Sequence, residues 1–325
     1  MENILDKNKH DGDDDNSIRP ITLENYTGQE KIKKNIEIYI KSALKRDEPL
    51  DHILFFGPPG LGKTTLAGII AHEMGKDIKV TTGPTLEKPG DLASLLMELE
   101  EGDILFIDEI HSLNKKVEEI LYPAMEDYVI DILIGSGNST KSVRIDLPKF
   151  TLIGATTRKG MISAPLLARF CSSHRMELYT PTELSQIIKR DAKILNIDIS
   201  DDALLSVASR SRGTPRVAIR LLKRLRDVAI ANDINVITME IVNKTFELLD
   251  IDENGLDATD LMVLNAIHDS FNDGPAGLDA IASCIGEDKA TIEDVCEPFL
   301  MQCGLIAKTR SGRILTEAGK KYIKS

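Results

Sequence analysis

The segment Gly57-Pro58-Pro59-Gly60-Leu61-Gly62-Lys63-Thr64 has the spacing of a phosphate-binding loop, GxxxxGKS/T. Gly57, Gly60 and Gly62 let backbone N–H groups turn inward around phosphates, and a following helix adds the positive end of its dipole. Lys63 would bring a point charge to the β- and γ-phosphates. The Thr64 hydroxyl is a hard oxygen ligand suited to Mg²⁺. A glycine-proline turn ahead of a helix would explain the glycines but not the lysine, so a nucleotide is the expected ligand.

A second group follows 45 residues after that lysine, where Asp108-Glu109 closes the apolar run Ile104-Leu105-Phe106-Ile107. Asp108 would hold Mg²⁺ through water, and Glu109 would orient or deprotonate an attacking water. The glutamate makes hydrolysis, not binding alone, the expected outcome. Thr157, just past a further apolar run, could bond the γ-phosphate or the water. Arg169 ends the same region, and Arg216 opens a later helix in Gly213-Thr214-Pro215-Arg216. An isolated arginine of either kind also fits a surface ion pair.

These groups need elements to position them. Ile53–Phe56, Ile104–Ile107 and Thr151–Ala155 read as buried strands, and 28–46 and 63–74 as helices with apolar residues at helical spacing. Strands alternating with helices predict an α/β fold, a mostly parallel sheet with helices on both faces. Residues 128–147 alternate around Gly135-Ser136-Gly137 and predict an inserted β-hairpin. After Pro181 only helices are expected: a capping box at Thr180–Glu183, then helices capped by Ser200, by Thr214 with Pro215, and by Thr238. From Gly255 three helical runs, the last capped by Thr291, precede a hairpin turning at Arg310-Ser311-Gly312. That is the outline of a winged helix.

The chain has 325 residues, too many for one ordinary core. Its net charge of −12, from 40 basic and 52 acidic residues, argues against indiscriminate binding of nucleic acid by the whole surface. Any such contact must be local, and Lys308, Arg310 and Arg313 flank the wing turn. Held together at a tip, they would reach phosphates without reading bases. Residues 1–17 form an acidic, apolar-poor stretch expected to be disordered. They lack the apolar core of a signal peptide, and no run of apolar residues is long enough for a membrane span. Cys171, Cys284, Cys296 and Cys303 have no CxxC pairing, which disfavours structural zinc and fits a reducing compartment.

Further strings join these motifs. They are Arg19-Pro20, Gly28-Gln29, Leu50-Asp51-His52, Gly57–Thr65, Phe106–His111, Pro123–Asp127, Gly154–Arg158 and Arg212–Arg216. Together they resemble the AAA+ superfamily and, more closely, its RuvB family of bacterial Holliday-junction branch-migration motors. Gly255-Leu256-Asp257, Gly274-Pro275 and Thr291–Val295 extend the resemblance over residues 18–325. It implies a large ATPase domain over 18–181, a small helical lid over 182–254 and a winged-helix DNA-binding domain over 255–325.

The resemblance also implies ATP and Mg²⁺ as ligands. Gly57, Gly60, Gly62, Lys63, Thr64, Thr65 and Asp108 would surround Mg-ATP, with Thr64 and Asp108 toward the metal. Glu109 would activate water, with Thr157 as sensor 1 and Arg216 as sensor 2. Arg169 would be an arginine finger entering the neighbouring subunit's site. Ile18, Arg19, Tyr179 and Glu126-Asp127-Tyr128 would contact nucleotide. Lys289, Lys308, Arg310 and Arg313 would contact DNA. The hairpin 128–147 matches the segment that docks on a RuvA partner, and a RuvC resolvase is a further implied partner. The implied assembly is a homo-oligomeric, hexameric ring on junction or duplex DNA of any sequence. The implied setting is homologous recombination and DNA repair, within the SOS response to DNA damage, in the cytoplasm.

Some positions depart from the family pattern. Lys308 replaces an arginine, keeping charge but not the bidentate fork. Cys171 replaces a glycine after the finger's Phe170, Thr27 stands at an aliphatic position near the adenine, and the acidic tail is not a family feature. Two other readings retain the nucleotide loop. One is an AAA+ ring loader or protein remodeller, which does not require a basic wing. The other is a nucleotide-switched DNA-binding regulator, which Glu109 and Arg169 together disfavour.

Overall fold

The computed structural model describes residues 18–134 and 141–324, the side chains of 132–134 and 141–142 excepted. The acidic tail and the turn expected around Gly135-Ser136-Gly137 lie outside the described residues. The chain divides into two compact units. One runs through Ile194 and takes in Thr214–Arg216; the other holds Leu195–Gly213 and the chain from Val217.

The strands of the first unit are β1 (Ile53–Phe56), β2 (Ile78–Thr82), β3 (Ile104–Asp108), β4 (Val129–Ile134), β5 (Lys141–Asp146), β6 (Thr151–Thr156) and β7 (Ser172–Arg175). Five of them form a parallel sheet in the order β2-β3-β6-β1-β7. β6 is buried throughout, as expected of a central strand covered on both faces. β2 falls in the single strand-helix unit that the spacing between the loop and Asp108 leaves room for, though its residues were not located from sequence, and β7 was not expected. Val80 is exposed on β2, and β7 is the polar run Ser172-Ser173-His174-Arg175, so neither reads as an apolar strand. β4 and β5 pair antiparallel as the expected hairpin, Val129 opposite Asp146 and Ile134 opposite Lys141.

The helices of this unit are α1 (Glu30–Arg46), α2 (Lys63–Met74), α3 (Pro89–Met97), α4 (Lys115–Glu126), α5 (Ala164–Ala168) and α6 (Pro181–Ile194). α1 buries Ile32, Ile36, Ile40 and Ala43 along one stripe. Leu92 and Leu96 of α3, Val117 and Leu121 of α4 and Leu166 of α5 pack with Leu105, Ile107 and Leu152 of the sheet. Each such side chain stabilises the fold by about 1.5–3 kcal/mol. His52 ties the layers together: Nδ1 accepts from Leu152 N at 2.8 Å and Nε2 donates to Met125 O at 3.0 Å. α6 starts with the expected capping box, Thr180 Oγ1 accepting from Glu183 N and Glu183 Oε2 accepting from Thr180 N.

The second unit holds α7 (Asp201–Ser209), most of α8 (Pro215–Ala231) and α9 (Met239–Leu248). Ser200 and Thr238 occupy the N-cap positions of α7 and α9, but neither side chain bonds the helix backbone. The Ser200 hydroxyl turns to Asp202 instead, whose carboxylate accepts from Ala203 N. Next come α10 (Ala258–Asn265) and α11 (Leu278–Ile285). A helical turn, Lys289–Thr291, then passes through a π turn, Ile292–Cys296, into α12 (Glu297–Gln302). Thr291 therefore lies within the helix rather than capping it. The strands β8 (Asp198–Ile199), β9 (Val236–Ile237), β10 (Ile306–Thr309) and β11 (Gly312–Leu315) complete this unit, the last two as the antiparallel wing. A closing helix, α13 (Glu317–Ile323), follows the wing and was not expected from sequence. Thr316 Oγ1 caps it by accepting from Gly319 N at 3.0 Å. Val263, Ile267, Ile281, Phe299, Leu300, Leu305 and Leu315 form the core of the winged helix.

Candidate nucleotide site and wing

The nucleotide loop leaves β1 where Gly57 N donates to Thr156 O of the neighbouring strand at 3.2 Å. Gly57 has φ 146°, and a Cβ there would stand 2.6 Å from Met176 O, so no other residue fits. Gly62, at φ 90°, is the left-handed residue from which α2 starts. Thr64 and Thr65 lie in the first turn of α2, both half-buried. The Lys63 side chain is buried, and its Nζ donates to Gly57 O at 2.9 Å and Pro58 O at 2.8 Å. Burial pushes its pKa down, against the pull of Asp108 and Glu109, and nearby Arg216 pushes the same way as burial. Arg216 N donates to Gly60 O at 3.3 Å, which sets that residue directly on the loop.

β3 and β6 are neighbours in register, Ile107 opposite Gly154, so their carboxyl ends deliver Asp108, Glu109 and Thr157 to one place. Asp108 Oδ1 accepts from Glu109 N at 2.9 Å. Glu109 has φ 46°, a left-handed conformation that costs a glutamate about 1–3 kcal/mol. Its Oε2 accepts from the Thr157 hydroxyl at 3.2 Å and lies 3.1 Å from His111 Nδ1. Behind it Gly83 leaves no room for a side chain, since a Cβ would lie 2.4 Å from Glu109 O. His111 and Gly83 were not singled out from sequence. A histidine after an acidic pair carries little signal there, and a glycine between a strand and a turn carries none.

Tyr179 is buried, and its hydroxyl donates to Tyr26 Oη at 3.0 Å. Both hydroxyls lie 3.3 Å from the loop carbonyl of Leu61. Burial pushes the Tyr179 phenol up to about 12 and the Tyr26 phenol well above its ordinary value. Tyr26 is thus a member of the loop's support that sequence reasoning missed, one residue from Thr27. Ile18 is buried, and its carbonyl is 3.4 Å from Arg190 Nη2 on α6, while Arg19 is exposed.

Arg169 and Glu126 come together, Nη2 to Oε2 at 3.0 Å. Arg169 Nη1 also donates to Pro165 O at 2.8 Å, and the guanidinium lies over the Tyr122 ring at 4.4 Å. Asp127 is exposed. Tyr128 stands at the base of the hairpin, edge-on to Phe150 with ring centres 5.9 Å apart.

The wing's cations do not form the single cluster expected from their spacing. Glu297, a buried carboxylate at the start of α12, takes two of them. Arg313 donates through Nε at 2.9 Å and Nη2 at 2.6 Å to Oε2, and Lys308 Nζ lies 3.0 Å from Oε1. Lys308 and Arg313 are opposite one another on β10 and β11, which is why one carboxylate reaches both. Arg310, at the turn, is exposed and has no ion-pair partner among the described residues. Lys289 is exposed and paired with Asp279 at 2.8 Å.

A parallel sheet of this order, a phosphate loop after β1, an acidic pair after β3 and a polar residue after β6 define a P-loop ATPase of the AAA+ class. Residues 18–176 match the family model of the Holliday junction DNA helicase RuvB P-loop domain, 179–252 that of the RuvB AAA lid domain, and 253–324 that of the RuvB C-terminal winged helix domain. The chain belongs to the RuvB family. Among solved structures it is similar to the Thermotoga maritima RuvB Holliday junction branch migration motor, at 47% identity, over 95% of this chain and 98% of that one, with a TM-score of 0.86. A lysine-to-arginine mutant of Thermotoga maritima RuvB matches at 48% identity over 94% of this chain and 98% of that one, with a TM-score of 0.87. The expected fold and activity therefore hold: the protein is an ATPase and a Holliday-junction branch-migration motor whose substrate is DNA.

Proposed function

We propose that this chain hydrolyses ATP with Glu109 as the base and Thr157 as the sensor that holds it. The contact of 3.2 Å between the Thr157 hydroxyl and Glu109 Oε2 carries the assignment. It joins the ends of two adjacent strands beside Lys63, so a change at the γ-phosphate would be felt by both residues. Lys63 and the loop N–H groups bind and orient the phosphates, and Arg216, seated on Gly60, adds positive charge there. Thr64 and Asp108 are hard oxygen donors and fit Mg²⁺, which when bound would neutralise charge on the β- and γ-oxygens. Ile18, Arg19, Tyr179 and the Glu126–Tyr128 segment belong in this reading to nucleotide contact, and Thr65 to the loop's first helical turn.

Arg169 is proposed as an arginine finger that acts in a neighbouring subunit, which requires an oligomer, here a hexameric ring. The family models support domain limits near 181 and 254. The winged helix would meet DNA without regard to sequence, through Arg310 first and through Lys289, Lys308 and Arg313 beside it. The hairpin 128–147 is the proposed docking segment for a RuvA partner, and a RuvC resolvase the proposed downstream partner. Among the described residues no helix is long and apolar enough to cross a membrane. A cytoplasmic setting within the SOS response completes the proposal.

The deciding experiment is dissociation of a synthetic four-way junction by the purified protein with ATP, with and without a RuvA partner. Lys63→Ala serves as the control. ATP-dependent dissociation that the partner enhances and Lys63→Ala abolishes is expected. ATP turnover without dissociation under any condition would reject the assignment and favour a loader or remodeller.

A further inference from the structure

We propose that His111 is a positioning residue for ATP hydrolysis, holding the Glu109 carboxylate through Nδ1–H. The proposal rests on reading Glu109 as the base. His111 lies in the short 3-10 turn Ile110–Ser112 directly after Glu109, and its side chain is only 10% exposed. Nδ1 is 3.1 Å from Glu109 Oε2 and 2.9 Å from Thr156 Oγ1.

Thr156 Oγ1 can either donate to Nδ1 or accept from it, so the nearby carboxylate decides the ring's tautomer. An ionised carboxylate can only accept, so a ring nitrogen presenting a lone pair at that distance would be repelled. The proton therefore sits on Nδ1. Thr156 Oγ1 already accepts from Arg158 N at 2.9 Å, and a hydroxyl oxygen has a second lone pair for the same Nδ1–H. Thr156 is fully buried in the sheet, which makes it a fixed stop for the imidazole.

Two consecutive residues of β6 and its exit thus hold Glu109 from two sides, Thr157 directly and Thr156 through His111. The Thr157 hydroxyl and His111 Nδ1 both approach Oε2, at 3.2 and 3.1 Å, leaving Oε1 to take the proton from water. A glutamate whose own backbone is left-handed at φ 46° gains from such a brace, because little else limits where its carboxylate points. His111 would touch neither water nor phosphate; it acts through Glu109.

The test uses the full chain and compares His111→Ala, His111→Gln and Glu109→Gln. Turnover, affinity for a non-hydrolysable ATP analogue and Tm are measured for each. Loss of one hydrogen bond to a carboxylate should lower kcat about tenfold in His111→Ala, with analogue affinity within about twofold. His111→Gln, whose amide N–H can donate, should recover most of that loss. Adding His111→Ala to Glu109→Gln should cause no further fall. Long-range ¹⁵N–¹H spectra of histidine-labelled protein, with His111 assigned by its absence in His111→Gln, should show the proton on Nδ1. A wild-type kcat in His111→Ala, or a proton on Nε2, would overturn the proposal. Equal losses in both His111 variants with a lowered Tm would also overturn it and leave a packing role. Wild-type turnover in Glu109→Gln would instead remove the base assignment beneath it.

Discussion

Arg169 and Glu126 hold each other within a single subunit, guanidinium Nη2 standing 3.0 Å from carboxylate Oε2. The guanidinium also covers Tyr122, whose hydroxyl donates to Glu118 at 2.8 Å. Two residues expected to serve nucleotide chemistry separately are therefore one unit. A long side chain held in this way has already lost much of its rotamer freedom before any neighbour arrives.

A finger supplied to another subunit's site stabilises charge only where subunits meet. Arg169→Ala should bind ATP normally and lose turnover by about 10³-fold. Mixed with Lys63→Ala, which keeps its finger but lacks the loop lysine, it should regain activity at hybrid interfaces. Phosphate release across a titration of the two variants measures this. Mixed oligomers with no recovery at any ratio would show that the site is not shared.

Gly83→Ala should injure catalysis from behind. The added methyl would meet Glu109 O at 2.4 Å and push the backbone that carries the base. Overpacking of this kind costs about 1–3 kcal/mol and would displace the carboxylate. Single-turnover rates should fall by about tenfold or more, with affinity for the ATP analogue little changed. An unchanged rate would mean that the strand end yields without moving Glu109.

Arg310 and Arg313 should separate cleanly. Arg310→Ala should leave thermal stability unchanged and reduce the log–log salt slope of duplex binding by about 0.9. Arg313→Ala should destabilise the winged helix by about 1–3 kcal/mol, since it strips hydrogen bonds from the buried Glu297. Melting curves and binding isotherms at several salt concentrations distinguish the two. Equal salt-slope losses without destabilisation would restore the simple cationic cluster.

Asp191 predicts a pH dependence of stability. It is fully buried on α6, pairs with Arg190 through Oδ1 and leaves Oδ2 without a hydrogen-bond partner among the described residues. Burial pushes its pKa up to about 6 from the ordinary 3.8, against the pull of Arg190. The folded state thus binds the proton more tightly than the unfolded chain. This favours folding below the unfolded value, and the benefit is lost as pH rises through about 6, where ionisation costs on the order of 3 kcal/mol. Asp191→Asn removes the ionisation, so its stability relative to wild type should rise between pH 4 and pH 7.5. Urea midpoints across that range test it, and a pH-independent difference would contradict it.

The loop at Gly57–Thr64 and the acidic pair at 108–109 were legible because their chemistry demands fixed spacings along the chain. The buried strands and amphipathic helices were legible because burial imposes a period. What escaped lies across the chain rather than along it. β7 is polar and reads as a loop, yet its backbone completes the sheet beside β1. Glu297 carries no signal in the sequence and is the partner of Lys308 and Arg313, because α12 passes beneath the wing. Tyr26 and His111 gain meaning only from Leu61 and Glu109, contacts made by folding. Ser200 and Thr238 stand where caps belong, but occupying the position did not guarantee the hydrogen bond.

The carboxylate under the wing bears on how a motor lets go. A surface that clings to a polyanion through many fixed charges must break those contacts together before it can slide. Glu297 quiets two of the wing's cations from within and leaves Arg310 projecting at the turn. Such a tip resembles a low-friction bearing more than a clamp. If the wing meets DNA as proposed, it would keep the duplex close, yield to each small displacement, and leave the load to the parts of the molecule that change with nucleotide.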